Sequence, residues 1–197
     1  MKLIVISPEA EDSRELAALG HFFAAGLTHY HVRKPAWGRD RVARWVRDVP
    51  GEFHPRLVLH SHHALAREFQ LGGLHWRDGD APPSSASSLC SCAVHDVAAL
   101  RAALNRVDRI LFSPMFPSFS KPGHAPDGRV SVAELKAALA LPRRAEVFAL
   151  GGIDLTRLSA CGDLGFDGVA VLGAIWQAAD PIEAFARLHQ ALPAHAA

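Results

Sequence analysis

The chain has 197 residues, 49% of them hydrophobic, enough for one well-filled core and short for two domains. Its 21 basic and 20 acidic residues leave a formal net charge of +1, so no broad field points to nucleic acid or to an anionic membrane, and any anion must be held locally. The three cysteines, Cys90, Cys92 and Cys161, argue against a disulfide framework and fit a reducing cytoplasm. Met1 to Ile6 is too short for a signal-peptide core, and no run approaches the roughly 20 apolar residues of a membrane helix.

Taken in order, Leu3 to Ile6 is a β-branched apolar run closed by Ser7-Pro8, as expected of a buried parallel strand. Asp12 and Ser13 are candidate caps for a helix carrying Leu16, Leu19, Phe22 and Phe23, which Gly26 ends. The unit then repeats. Thr28 to Arg33 reads as a strand and Arg39 to Val49 as a helix with the apolar stripe Val42, Trp45, Val46 and Val49, broken by Pro50-Gly51. Leu57 to His60 is a third strand, with Ala64, Leu65 and Phe69 on the helix after it, and Gly73 to Trp76 a fourth. Ala81 to Ser88, rich in Pro and Ser, reads as a loop rather than a linker.

Leu89 to Cys92 is the fifth strand, followed by a helix with Val97, Leu100 and Leu104, and Arg109 to Phe112 is the sixth. Ser113 to Asp127 holds four prolines and one glycine and cannot be regular structure, and a loop of that length inside a compact domain is usually functional. Ser131 and Glu134 form a capping box for a helix that buries Leu135 and Leu139. Val147 to Leu150 and Gly168 to Leu172 are the last two strands. Asp180-Pro181 opens a final helix with Ile182, Phe185 and Leu188 inward.

Eight short buried strands, each followed by a helix or turn, predict a single compact TIM (β/α)8 barrel over residues 1–197, with an open doubly wound sheet as the other solution. In a barrel, functional residues sit at the C-terminal strand ends. Those ends carry His31, Arg33 and Lys34; His60, Ser61 and His62; His75 and Asp80; Cys92 and His95; and Ser118, Ser120 and Lys121. Strands seven and eight each end in glycine, Gly151-Gly152 and Leu172-Gly173. Two such neighbouring turns can surround one phosphate, although a single Gly-Gly is more often only a tight turn. His60-Ser61-His62-His63 offers at most alternate side chains from a turning strand end, a poor zinc geometry. Cys90 and Cys92 share a face and read as small buried side chains. Arg33, Lys34 and Lys121 are candidate anion binders, with ordinary surface charge as the competing reading for Lys34. His95 is the sharper candidate for proton transfer, provided that it does not merely cap the helix starting at Asp96.

The chain resembles the thiamine phosphate synthase and TenI superfamily through His31-Val32-Arg33-Lys34, Leu59-His60-Ser61-His62, Gly73-Leu74-His75-Trp76, Ser91-Cys92-Ala93-Val94-His95, Ser113-Pro114-Met115-Phe116-Pro117, Ser120-Lys121, Ala149-Leu150-Gly151-Gly152-Ile153 and Gly168-Val169-Ala170-Val171. The resemblance implies a thiamine-pathway enzyme that binds thiazole phosphate at Gly151, Gly152, Leu172 and Gly173, with His31, Arg33, Lys34, His60, Ser118, Ser120 and Lys121 around the substrate. In the synthase branch a displacement joins pyrimidine to thiazole, Mg²⁺ and a pyrimidine pyrophosphate are bound, and Arg33, Lys34 and Lys121 match the pyrophosphate contacts. Here His60 and Ser61 stand where that branch has Asn-Asp, leaving Asp80 as the matching metal carboxylate, and His31 replaces a glutamine.

Those departures resemble the TenI branch, in which a thiazole tautomerase shifts a proton on a carboxythiazole phosphate without metal. His95 matches its acid/base, Arg33 would face the substrate carboxylate and His31 would orient it. The reading in first place is therefore the tautomerase, with no cofactor. A Mg²⁺-dependent thiamine phosphate synthase and a non-catalytic phosphate-binding regulatory protein are the alternatives. A small phosphate-bearing molecule is the expected partner, in the cytoplasm, with nucleic acid and membrane excluded and homo-oligomerisation left open.

Overall fold

Apolar side chains alternate along the strands into two separate clusters, one between strands and helices and one enclosed by the strands alone. That division follows from a closed barrel. In a computed structural model, which describes residues 1–80, 88–116 and 131–193, eight parallel strands pair in sequence order and the last closes on the first. They are β1 (Lys2–Ile6), β2 (His29–Val32), β3 (Leu57–Leu59), β4 (Gly73–Trp76), β5 (Leu89–Val94), β6 (Arg109–Phe112), β7 (Glu146–Leu150) and β8 (Gly168–Val171). The β1–β8 pairing, with Leu3 opposite Val169 and Val5 opposite Val171, excludes the open doubly wound sheet.

Around the barrel lie α1 (Glu15–Ala24), α2 (Arg39–Asp48), α3 (Ala64–Glu68), α4 (Val97–Ala103), α5 (Val132–Leu139), α6 (Leu158–Leu164), α7 (Gly173–Trp176) and α8 (Pro181–Ala191). Among the described residues, no helix is long and apolar enough to cross a membrane. The expected caps hold for α5, where Ser131 accepts from Glu134 N–H, and for α8, where Asp180 accepts from the N–H groups of Ile182 and Glu183. They fail for α1. Asp12 turns to Arg14 instead, and Arg14 is the N-cap residue without a side-chain cap. The buried face of α1 holds Leu19, Phe22 and Phe23 as expected but not Leu16, which is 40% exposed while Glu15 is buried.

Three features were not predicted from the sequence. A 3-10 helix spans Gly51–Arg56 after the Pro50 break, another at Leu155–Arg157 leads into α6, and the one-turn α7 follows β8. Trp176, at the end of α7, donates its indole N–H to the Ile6 carbonyl at 2.8 Å and packs edge-on against Phe22, so it ties β1, α1 and α7 together.

Register fixes which side chains meet inside. Ile4 lies opposite His29 and Ile6 opposite His31; His31 faces Val58, Val58 faces Gly73, His75 faces Ser91, Ser91 faces Arg109, and Arg109 faces Glu146. The interior is thus divided. Ile4, Ile6, Leu111, Phe148 and Ala170 form an apolar half, and His29, His31, His75, Ser91, Arg109 and Glu146 a polar one. Tyr30, Cys90 and Cys92 point the other way, into the layer under the helices.

Candidate active site

The polar half of the barrel ends in three imidazoles. His31 on β2 and His75 on β4 are buried, and His60, one residue past β3, is half-buried. His31 Nδ1 lies 3.0 Å from His60 Nε2, and the His60 and His75 rings stack at 4.0 Å between centroids. Ser91 fixes the third ring. Its hydroxyl donates to the Leu74 carbonyl at 3.2 Å, so toward His75 Nδ1, 2.9 Å away, it acts as acceptor and the Nδ1 carries the proton. His75 Nε2 is then the nitrogen with a lone pair. Burial pushes the pKa of His75 down to about 3, with the positive ends of His63 and Arg33 adding to the effect. Burial likewise holds His31 and His60 well below the usual imidazole range, so all three rings are neutral near pH 7.

Arg33 follows β2 next to this cluster. Its backbone is gripped by Ser7, whose hydroxyl accepts from Arg33 N–H at 2.8 Å and donates to the Arg33 carbonyl at 3.1 Å, and its guanidinium pairs with Glu9. Lys34 corrects the sequence reading. Its side chain is buried against the connection between β1 and α1, donating to Glu15 at 2.6 Å and to the carbonyls of Pro8 and Ala10 at 2.7 and 3.2 Å. Tyr30 adds its hydroxyl to Glu15 at 2.8 Å. Burial raises the Glu15 carboxyl and lowers the Lys34 ammonium, opposing the ion pair, while the mutual attraction and the added hydrogen bonds pull both the other way. Lys34 is therefore a structural cation rather than an anion binder at the mouth.

His95 stands one residue beyond β5. Asp96, not His95, caps α4 by accepting from Ala99 N–H, which leaves the imidazole at the strand end. Its Nδ1 lies 2.6 Å from the carbonyl of Ser113. A carbonyl only accepts, so Nδ1 carries the proton and Nε2 is left as the basic nitrogen.

The turns after β7 and β8 lie on neighbouring strands. Gly151 and Gly152 have φ of +98° and +60°, and a Cβ on Gly151 would stand 3.1 Å from Pro114 Cα. Met115 and Phe116 donate their N–H groups to the carbonyls of Leu150 and Gly151, so the segment after β6 lies directly on this turn. Arg157, not singled out from the sequence, donates to the Gly152 carbonyl and covers the Phe116 ring. Leu172 is the N-cap residue of α7 and Gly173 its first residue. Asp80 bends back to accept from Arg77 N–H at 3.1 Å on the exposed turn after β4. Ser118, Ser120 and Lys121 lie outside the described residues.

The structure thus brings His31 and His60 together with His75 and sets Arg33 beside them, but it removes Lys34 from the group. Ser7, Ser91 and the Ser113 carbonyl position the others, and of these Ser7 and the Ser113 carbonyl have no signal in the sequence. Ser91 does have one, because a residue between two cysteines that share a face must point to the opposite one.

Magnesium, which the synthase resemblance implies, requires oxygen ligands in near-octahedral array. Asp80 accepts a backbone N–H within its own exposed turn, Ser61 is a neutral hydroxyl, and among the described residues the clustered donors are nitrogens. These residues do not fit Mg²⁺.

Polar groups gathered at the C-terminal ends of parallel strands place the chain among the (β/α)8-barrel enzymes. Within that class it belongs to the thiamine monophosphate synthase family (TMP-TENI), which matches residues 3–175. The chain is 30% identical over 194 residues to a thiamine-phosphate synthase of Azoarcus sp. (strain BH72), covering 92% of each chain. It is also 30% identical over 201 residues to that of Methylobacillus flagellatus, covering 95% of this chain and 93% of the relative. Among solved structures, the thiamine phosphate pyrophosphorylase of Bacteroides thetaiotaomicron superposes with a TM-score of 0.80 at 28% identity, over 97% of each chain.

Proposed function

We propose that the chain is a thiamine-biosynthesis enzyme that joins a thiazole phosphate to a pyrimidine pyrophosphate, the synthase reaction for which its relatives are named. The match across residues 3–175 carries this reading and reverses the order of the two activities suggested by the sequence. In the reaction, the thiazole nitrogen bonds to the pyrimidine methylene carbon as the bond from that carbon to the pyrophosphate oxygen breaks, and pyrophosphate departs with the electron pair. The thiazole phosphate is assigned to the turns at Gly151, Gly152, Leu172 and Gly173, which supply backbone N–H groups beside two neighbouring strands. Arg33 would take up charge on the leaving pyrophosphate, helped by Lys121, with Ser118 and Ser120 from the same long segment. His31 and His60 would face the pyrimidine. No step is assigned to Mg²⁺. A cytoplasmic setting belongs to the same proposal and suits the three free cysteines.

One observation favours a second reading. The Ser113 carbonyl fixes the tautomer of His95 and leaves Nε2 as a proton acceptor, the arrangement needed to shift a proton on a carboxythiazole phosphate. The deciding experiment supplies thiazole phosphate with pyrimidine pyrophosphate and follows thiamine phosphate and pyrophosphate, while a parallel reaction holds the carboxythiazole tautomer alone. Equal release of both products supports the synthase. Isomerisation without condensation replaces it by the tautomerase.

A further inference from the structure

His31, His60 and His75 come from three consecutive strands, and each offers a nitrogen lying within 4.8 Å of the other two. The 3.0 Å between His31 Nδ1 and His60 Nε2 is close to the ~3.3 Å edge of a tetrahedron built on zinc–nitrogen bonds of about 2.0–2.1 Å. His75 has the outer support typical of a metal-bound histidine: Ser91 holds its Nδ1–H and is itself anchored on the Leu74 carbonyl, so the ring is oriented and Nε2 is left to ligate.

The contacts among the rings do not satisfy them. Two facing imidazole nitrogens share a single proton, and whichever ring donates it, His31 Nε2 remains buried with no hydrogen-bond partner among the described residues. A buried polar atom without a partner is costly, so the ring-to-ring contacts by themselves leave this cluster short of polar partners. The donor set selects the kind of cation. Three nitrogens with no carboxylate among them suit zinc and its first-row neighbours and exclude magnesium and calcium. Of the cationic groups that bear on the cluster, Arg33 and Arg109 each have a carboxylate partner, Glu9 for the first and Glu146, at 3.0 Å, for the second.

We propose that His31, His60 and His75 form a three-histidine site for a transition-metal cation, zinc first, with a fourth position open on the side of the half-buried His60. An open position on three protein ligands accepts water or an anionic oxygen, which makes the site suited to a phosphate-bearing or carboxylate-bearing molecule at the barrel mouth. The inference does not rest on either activity proposed above.

The test uses the full chain without a histidine tag, stripped with chelator and titrated first with Co²⁺ and then with Zn²⁺. One Co²⁺ per chain is expected, with the intense visible bands of a low-coordinate nitrogen site, bleached by one equivalent of Zn²⁺. His60→Ala should weaken binding by about 100-fold or more and Ser91→Ala by about 10- to 100-fold, whereas His21→Ala, on the exposed face of α1, should leave it unchanged. The wild-type cobalt spectrum stands by itself if a variant fails to fold. Absence of saturable binding by the wild type overturns the proposal, as does equal affinity in His60→Ala or equal loss in His21→Ala.

Discussion

Among the described residues, His95 is held through its Nδ1, 2.6 Å from the Ser113 carbonyl and 3.4 Å from the Ser113 hydroxyl. The bond to the carbonyl decides which nitrogen meets substrate, so a glutamine there can fill the space but cannot pass a proton. If proton transfer by this residue is part of turnover, His95→Gln lowers kcat by about 10²- to 10⁴-fold while thiazole phosphate binds as before, measured by turnover and by calorimetry on the same preparation. Lys34 makes the opposite case. With Glu15 and Tyr30 as partners, Lys34→Met leaves a buried carboxylate uncompensated and should cost about 3–5 kcal/mol of unfolding free energy. Adding Glu15→Gln, which keeps an acceptor for Tyr30, should restore most of that loss, read from urea midpoints. Unchanged stability in Lys34→Met would return this lysine to the surface role that its position after a strand suggests.

At the scale of elements, the turn after β7 joins sequence, backbone and site. Gly151 has φ of +98° and lies against Pro114, so an added methyl group is both strained and crowded. Gly151→Ala should destabilise the chain by about 1–3 kcal/mol and weaken phosphate binding in parallel, as followed by thermal unfolding and by titration with inorganic phosphate. Normal phosphate affinity in a destabilised variant would separate this turn from the anion. Elements of this kind were legible in advance because local chemistry dictates them: the β-branched runs, the Ser131 and Asp180 caps, and the glycines that end β7. What stayed hidden depended on partners distant in sequence. No local pattern shows that Glu15 replaces Leu16 on the buried face of α1, since the reason is Lys34 from the next strand-to-helix connection. The histidine cluster is a similar case. His60 and His62 looked like the natural pair within one segment, but the barrel brings His60 to His31 and His75 through strand register and leaves His62 on the Trp37 carbonyl.

For the whole molecule, closure of β1 on β8 makes the barrel a single ring, and two kinds of measurement report on it. Cys90, Cys92 and Cys161 are all buried under the helices, and burial pushes the thiols of Cys92 and Cys161 up to about 11. At pH 8 only roughly one thiol in a thousand would be ionised at such a pKa, so a disulfide reagent should find almost no reactive cysteine in the native chain and three in denaturant. Gly168 lies on the seam itself. It pairs with Lys2 on one side and Phe148 on the other, and a Cβ would approach the Lys2 carbonyl oxygen and the Phe148 ring to 2.5 Å each. The ring could tilt, but the carbonyl belongs to the ladder and can yield only if β1 moves away from β8. Gly168→Ala should therefore lower the urea midpoint by the equivalent of about 1–3 kcal/mol, with one cooperative transition of unchanged slope. Its cysteines should become reactive in that same transition. Thiol exposure well before loss of helical signal would mean that the seam opens separately from the rest of the ring, and closure would then not be what makes the barrel unfold as one.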